Sequence, residues 1–326
     1  MLKFFQFIIF LILQILFLPF AICGGLLALY FEMVVSRKLG VSFTAEQAIQ
    51  PRWTMHYFAV RSDPNTVAFM KHLPIESHLG FLGMFGAALL ANRICGYIPS
   101  FTQIPEYGKE TLSSFICSRT VLFDQIMERY ASEVEQIVIM GGGFDLRVLQ
   151  LTRDGSANVF EVDQEKTQSM KLETIQKAGL SNDWITYITV DFREESWVEK
   201  LLEHGFDQTK RTYFHWESVS LYLEEDVVRD TIAKMSSLSS KGSILAQDFY
   251  AKSFIKGETY LMRKAVQLVE KMGEPWLYGI DMSDDVKTSI EALVNEFNFQ
   301  ALEVSQFGHK GKTGKPFYAI SVCEKV

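Results

Sequence analysis

Apolar positions follow three different rhythms along this chain. The first is an unbroken run. From Phe4 to Phe31, 28 residues, no side chain carries a charge. As a helix rising ~1.5 Å per residue this run is about 42 Å long, against about 30 Å for the hydrocarbon of a bilayer. It predicts an uncleaved membrane anchor over residues 1–35. A cleaved leader is the rival, but the run is too long for a leader's apolar region and lacks a small-residue cleavage site. A second uncharged run, Leu79 to Asn92, is bounded by His78 and Arg93 and is too short to span alone. It reads as a buried helix. A membrane-surface helix and an apolar lid over a substrate pocket are the functional alternatives, and the pattern does not separate them. Pro51, Pro64 and Pro74 punctuate the polar stretch between the runs, where 45–60 reads as helical.

The second rhythm has the helical period. Across 111–130, Leu112, Phe115, Ile116, Phe123, Ile126, Met127 and Tyr130 recur at i, i+3, i+4 spacing. Arg119 falls on this apolar stripe. A charge aimed at a core needs a partner, either a buried salt bridge or a ligand carboxylate or phosphate.

The third rhythm alternates short strands with helices. Ile137–Met140 runs into Gly141, Gly142 and Gly143. A helical segment follows, and a second strand over 157–160 ends in Glu161-Val162-Asp163. Next come a helix over 164–178, a strand over 185–190 tipped by Asp191, a helix over 194–204 and a strand over 211–215 tipped by Trp216-Glu217. A helix over 224–238 and a strand over 242–249 follow, with Asp248 near that strand's end. Helices over 254–272 and 284–295 precede a closing strand pair, 299–306 and 316–323, around the turn 308–315. This predicts an α/β fold: a doubly wound, mostly parallel seven-stranded sheet with an antiparallel C-terminal hairpin, plus an N-terminal transmembrane helix. The chain divides into the anchor (1–35), a helical cap or lid (36–110) and a nucleotide-type binding domain (111–326).

Composition narrows the function. The 326 residues carry a net charge of −7, and no basic tract is present, so a nucleic-acid partner is disfavoured. Cys23, Cys95, Cys117 and Cys323 lie far apart, and the six histidines form no ligand pair, so no metal is expected. Arg37, Lys38 and Arg52 outnumber Lys3 across the anchor. By the positive-inside rule the chain is a single-pass membrane protein with its binding domain facing the cytoplasm.

Ligands of doubly wound sheets sit outside the carboxyl ends of the strands, which makes Asp163, Asp191 and Glu217 the informative acids. A dinucleotide fingerprint wants G-x-G-x-x-G. Gly141 and Gly143 fit, but Leu146 stands at the third glycine's place. Three acids and one core-facing arginine suit a ligand with a ribose diol, an adenine amine, an ammonium and a carboxylate, and no phosphate. S-adenosylmethionine is such a ligand; a nicotinamide dinucleotide remains the alternative.

The ordered run Arg119-Thr120…Asp124, Val138-Ile-Met-Gly-Gly-Gly-Phe-Asp145-Leu-Arg147 and Val159-Phe-Glu-Val-Asp163…Lys171 resembles the leucine carboxyl methyltransferase family, whose patterns there are R-T-x-x-x-D, LGAGLDTR and vFEvD with a following Lys. The resemblance continues through Asp191-Phe192, Glu217-Ser-Val-Ser-Leu-Tyr222-Leu (family E-G-v-x-x-Y-L), Gly242-Ser243 and Glu274-Pro275-Trp276…Gly279-Ile280-Asp281, covering about 110–322. It implies a class I methyltransferase fold and S-adenosylmethionine as cofactor. It also implies roles. Arg119 would hold the methionine carboxylate, and Gly141, Gly142 and Gly143 would pass under the ligand. Asp163 would take the ribose hydroxyls, Asp191 and Phe192 would frame the adenine, and Glu217 would lie by the ammonium. Arg52 loosely aligns with a basic residue near the cofactor. Asp145 and Arg147 match family positions and read as structural, with Asp145 capping a helix. Gly142 in place of the usual Ala reads as harmless, whereas Ser218 in place of Gly touches the acceptor side.

The expected reaction is transfer of a methyl group to an oxygen of a small-molecule, lipid or protein acceptor. A carboxylate acceptor needs no general base; a hydroxyl acceptor would draw on Glu217 or Tyr222. The apolar runs suggest an acceptor that is itself apolar or membrane-resident. The rivals are a nicotinamide-dependent oxidoreductase and a catalytically silent, membrane-tethered S-adenosylmethionine-binding protein.

Overall fold

Seven strands build one sheet: β1 (Gln136–Met140), β2 (Asn158–Asp163), β3 (Ile185–Thr189), β4 (Thr212–Trp216), β5 (Ile244–Tyr250), β6 (Phe299–Phe307) and β7 (Tyr318–Lys325). The structure, a computed structural model, describes residues 2–41, 43–152, 155, 157–192, 195–311 and 314–326, with backbone alone at 43 and 44. The strand order is β3-β2-β1-β4-β5-β7-β6. Strands β1 to β5 pair in parallel, and β7 runs antiparallel to both β5 and β6. Every residue of β1, β4 and β5 is buried, as a sheet covered by helices on both faces requires. The order reverses between β1 and β4. A doubly wound sheet opens its ligand crevice at that switch point.

The chain enters this sheet through helices: α1 (Leu2–Leu16), α2 (Leu18–Tyr30), a π turn over Phe31–Val35, α3 (Ser36–Leu39), α4 (Phe43–Tyr57), α5 (Pro64–Met70), α6 (His78–Cys95) and α7 (Phe115–Tyr130). Between and after the strands come α8 (Arg147–Leu151), α9 (Glu165–Lys177), α10 (Trp197–Glu203), α11 (Glu225–Leu238), α12 (Lys252–Ile255), α13 (Tyr260–Lys271) and α14 (Val286–Asn295). The doubly wound sheet and its antiparallel hairpin are as expected.

The helical boundaries differ in places, each for a local reason. The helix expected over 254–272 is two helices, because Gly257 takes a left-handed φ of 65° between them. The helix expected from 111 starts at Phe115, since Thr111 spends its N–H and hydroxyl on Ser114 in a turn. The helix expected from 194 starts at Trp197, capped by Ser196; Glu194 lies outside the described residues.

The N-terminal run is also not one straight rod. Pro19 has no N–H to return to the preceding turn, and the helix is broken at Phe17. Beyond Phe31 it continues through the π turn to Leu39, where Gly40 stops it at φ 64°. Among the described residues Leu18–Leu39 and His78–Cys95 are long and apolar enough to cross a bilayer. They pack on each other. The Cβ of any residue other than Gly at position 24 would come within 2.4 Å of Met84 N and 2.6 Å of Gly80 O. At Gly83 it would come within 3.1 Å of Gly24 Cα. Small residues let the two backbones touch, as they do between helices in membranes. The second apolar run is therefore a helix partly buried under α1 and α2, with Leu79 still 74% exposed.

Gly24→Val should push α2 off α6, because the obstructing atoms are backbone and cannot turn aside; overpacking of this kind costs about 1–3 kcal/mol. Limited proteolysis in detergent should then cut within 31–45 at least ~5-fold faster than in wild type. Gly25→Val is the control, because its Cβ would meet only Met84 Sδ, at 3.9 Å. Equal rates for the two variants would remove this interface from the account.

Candidate functional site

At the switch point the chain leaves β1 through three glycines. Gly141 and Gly143 hold φ of 68° and 49°. A Cβ at Gly141 would meet Val219 Cγ2 at 2.6 Å. The Gly143 N–H donates to Asp163 Oδ2 at 2.6 Å, and the Gln164 N–H donates to Asp163 Oδ1 at 2.6 Å. Burial pushes the Asp163 carboxyl up, and those two amides partly offset it. Gly142, which the sequence reads as a harmless change, is the residue that fits this turn. A Cβ there would meet Glu161 Cδ at 2.6 Å. Glu161 is buried and held by Lys171 Nζ at 2.7 and 2.8 Å. Burial still pushes its carboxyl up to about 7, against the pull of Lys171.

Above the glycines lies a cavity of ≈ 2360 Å³. Ligand pockets usually hold about 300–1,000 Å³, so this one has room for two molecules. Arg52, Arg119, Gly141, Gly142, Gly143, Asp163, Asp191, Phe192, Glu217 and Tyr222 all border it. The sequence therefore picked out residues that the fold brings to one cavity. Asp191 and Phe192 form its open end, where Phe192 is 42% exposed. Leu112, Phe115, Phe254, Leu261, Met262 and Trp276 add apolar wall to it.

Arg119 and Glu217, assigned by resemblance to opposite ends of one ligand, are ion-paired with each other, Nε to Oε1, at 2.8 Å. Arg119 Nη1 also donates to Ser218 Oγ at 2.5 Å and to Tyr250 Oη at 3.3 Å. Its Nε–H, although close to Glu217, has no hydrogen-bond acceptor in line. Glu217 Oε2 accepts from Arg147 Nη1 at 2.8 Å. Burial would raise the Glu217 carboxyl, but Arg147 and Arg119 outweigh it and hold it well below the usual carboxylate range. An acid held so firmly ionised is a poor proton acceptor.

Arg52 is engaged as well. Its two terminal nitrogens donate to both Asp145 oxygens, at 2.5 and 2.7 Å. Asp145 also accepts the Arg147 N–H at 2.7 Å, but the N-cap of α8 is Leu146 with no side-chain cap, so Asp145 braces the turn before the helix and does not cap it as expected. Asp145, His215 and Glu217 bring three potential metal-ligating atoms within 4.8 Å of one another, the single such group among the described residues. Arg147 Nη1 already serves all three, at 3.5 Å from Asp145, 2.7 Å from His215 and 2.8 Å from Glu217. A guanidinium is the cation of this cluster.

Sequence reasoning passed over Asp248 and Tyr250 as site residues, and took Ser218 only as a change on the acceptor side. Ser218 takes φ 57°, unusual for a residue with a side chain. Asp248 accepts the Ser218 N–H at 2.8 Å, the Ser218 hydroxyl at 3.2 Å and the Tyr318 hydroxyl at 2.7 Å. Burial pushes Asp248 up to about 6, against the pull of Arg119. Its place near the end of a strand was the available signal.

Residues 99–236 match the family model described as leucine carboxyl methyltransferase. The resemblance read from the motifs is borne out over that span, which stops short of the motifs at 242–243 and 274–281. A protein of Mycobacterium avium (strain 104), provisionally named an S-adenosyl-L-methionine-dependent methyltransferase, is 30% identical over 151 residues, 45% of this chain and 50% of that protein. One of the same name from Mycobacterium marinum is 28% identical over 160 residues, 48% of this chain and 50% of that protein. The chain thus spans about half the length of the curated relatives it matches. A solved structure described as a methyltransferase from Thermobifida fusca is 16% identical, with a TM-score of 0.48, over 79% of this chain and 93% of that one.

An acid whose folded pKa lies above its unfolded value contributes stability at low pH and loses it as pH rises through the folded pKa. Asp248, near 6 against an ordinary 3.8, should lose about 2–3 kcal/mol between pH 4 and 6, at ~1.4 kcal/mol per unit. Asp248→Asn removes that term. Denaturant melts should show the variant gaining on wild type by roughly this amount across the window. A difference that stays flat with pH would mean Asp248 is not held protonated.

Proposed function

We propose that this chain is an S-adenosylmethionine-dependent O-methyltransferase whose acceptor group is a carboxylate, working at a membrane with its binding domain on the cytoplasmic side. The observation that carries the reaction type is Glu217. It is an acid on the cavity wall, yet two arginines hold it ionised, so it offers no proton acceptor. Methylation of a carboxylate needs none, because that acceptor is already an anion at neutral pH.

The cofactor fits what the cavity presents. Gly141–Gly143 border the space a nucleoside would take. Asp163 borders it, its carboxyl oriented by two backbone N–H hydrogen bonds. The unmatched Nε–H of Arg119 suits a ligand carboxylate, and Glu217 beside it suits an ammonium. When bound, S-adenosylmethionine supplies a methyl group on a sulfonium, an electrophile that needs no activation. The protein's part is to hold donor and acceptor in line, to exclude water with the apolar wall, and to keep Glu217 charged. A nicotinamide-dependent oxidoreductase is opposed by Leu146, 1% exposed where a pyrophosphate site wants its third glycine.

A hydroxyl acceptor is the second reading, favoured by one observation. Ser218 lies on the cavity wall with Asp248 behind it, and a carboxyl near 6 can take a proton at neutral pH. In that reading Asp248, not Glu217 or Tyr222, would draw the proton through the Ser218 hydroxyl.

Calorimetric titration should detect S-adenosylmethionine and not NAD. Arg119→Ala and Asp163→Ala should each weaken it by roughly 10- to 100-fold, about 1.4–2.8 kcal/mol. Unchanged affinity in both would overturn the site. Turnover with a labelled methyl donor on membrane extract separates an enzyme from a silent binder. The acceptor class shows in the pH profile. For a carboxylate, kcat/KM should already be flat from about pH 5 to 8, whereas a tenfold rise per unit below about pH 6 that levels off above it and vanishes in Asp248→Asn would establish the hydroxyl reading.

A further inference from the structure

The exposed apolar surface gathers on one layer. Leu2, Phe4, Phe5, Ile15, Leu16 and Phe20 on α1–α2 are each at least 60% exposed. The expected anchor is a rod that leaves the domain and crosses the bilayer. We propose instead that α1–α2 and α6 lie in the plane of one membrane leaflet, so that the chain docks on the bilayer from one side and does not cross it. This rests on the membrane reading above.

The pairing of the helices comes first. The bent α1–α2 helix runs antiparallel to α6 along its length. Gln6 Nε2 donates to Cys95 O at 2.7 Å, and Phe10 stacks on Tyr97 at 4.5 Å. Phe17 lies beside Gly86, and Gly24 beside Gly80 and Gly83. Wherever α6 goes, α1–α2 goes with it.

The domain holds α6 at its start and in the middle and lies beside its end. At its start, Trp53 Nε1 donates to His78 Nδ1 at 3.1 Å, and the Phe81 ring lies 5.3 Å from the Trp53 ring. At mid-length, Phe85 packs on Phe101 at 5.7 Å, and the Phe101 carbonyl accepts from Cys117 Sγ in the first turn of α7. At its end, Gly96 and Tyr97 share a cleft of ≈ 480 Å³ with Lys3, Gln6 and Val60. The residue after Val60 is Arg61, paired to Asp124. The helix pair therefore lies along the domain and does not project from it.

A crossing would drag polar chain into hydrocarbon. Residues 96–104 return from the far end of α6 to its middle without forming a helix or strand. In lipid each unpaired backbone group costs several kcal/mol, so irregular chain is tolerated there only where protein or water covers it. Laid in the plane, the same segment stays on the domain side. The cations agree. Lys3 stands at one end of the apolar layer and Arg37 and Lys38 at the other, at the depth where anionic headgroups would meet them. Arg37 Nη2 also donates to Lys271 O, at 3.5 Å. That contact joins the docking layer to the α13 wall of the cavity.

The test is topological. In a Cys23→Ser, Cys95→Ala background of the full chain, Lys3→Cys, Lys38→Cys and Ile12→Cys are made singly; the remaining Cys117 and Cys323 are buried. Inverted membrane vesicles from expressing cells, cytoplasmic face outward, are treated with a membrane-impermeant maleimide. In-plane docking expects Lys3→Cys and Lys38→Cys to label at rates within about 3-fold of each other, and Ile12→Cys at least ~10-fold more slowly. Protection of Lys3→Cys until detergent is added would establish a crossing and overturn the proposal, leaving the membrane reading intact. Fast labelling of Ile12→Cys, or a chain recovered from the soluble fraction as a dimer, would overturn both, since a second copy would then cover this face. None of these outcomes bears on methyl transfer, which the labelled-donor assay reads separately.

Discussion

A guanidinium with 1% of its side chain exposed sits at the centre of this molecule, and much of the structure follows from neutralising it. Arg147 reaches Asp124 on α7, Asp145 in the glycine turn and Glu217 beyond β4. Those acids hold further arginines: Asp124 pairs with Arg61, Asp145 with Arg52, and Glu217 with Arg119; Arg61 also pairs with Asp63. Four arginines thus meet four carboxylates in one connected, mostly buried network. Such networks add little net stability, because desolvation consumes most of the Coulomb gain, while breaking one member leaves an uncompensated charge. What this one does is specify position. It ties α4, the loop before α5, α7, the floor of the cavity and the tip of β4 to a single point.

That network explains which parts of the site were legible in the sequence. Arg119 stood out because a charge on an apolar stripe is a conflict that one sequence displays by itself. Asp163 and Glu217 stood out because strand tips face the crevice of a doubly wound sheet. The partners of these groups come from far along the chain, and no local rule connects them. Arg52 and Asp145 are 93 residues apart, and Arg147 and Glu217 are 70 apart. The pairing of the two apolar runs was hidden for a similar reason. Gly24, Gly80 and Gly83 each look like an ordinary helix weakness until the two backbones meet. Asp248 was seen as a strand residue and not as a site residue, because its importance depends on Ser218.

Ser218 shows how a departure from a family pattern can be absorbed. A glycine would enter φ 57° without strain, whereas a serine there costs of order 1 kcal/mol or more unless its surroundings hold it. Here they do. The backbone N–H and the hydroxyl both reach Asp248, and the same hydroxyl accepts from Arg119. The added side chain therefore changes the cavity wall beside the arginine without leaving a buried polar group unmatched. It also narrows the space beside Tyr250, whose hydroxyl lies 3.4 Å from the Ser218 hydroxyl.

The molecule buries carboxylates in two ways, and the contrast separates the cavity floor from the region of the apolar helices. Around the cavity floor, arginines compensate acids, so charge survives burial and Glu217 stays ionised. Near the apolar helices no cation is supplied. Glu46 is fully buried, and neither of its oxygens has a hydrogen-bond donor in line among the described residues. Burial pushes it up to about 8, with Ser36 opposing slightly and Glu32 adding to the rise. Glu76 is pushed well above the usual range, by burial first and Glu46 second. At neutral pH Glu46 is therefore mostly a carboxylic acid, and a proton takes the place of a guanidinium. A neutral junction suits a layer whose outer face is apolar, since an ionised one beside hydrocarbon would face a large solvation cost. Compensated carboxylates thus gather at the cavity floor, while the acids buried near the apolar helices are neutralised by protons or left strained.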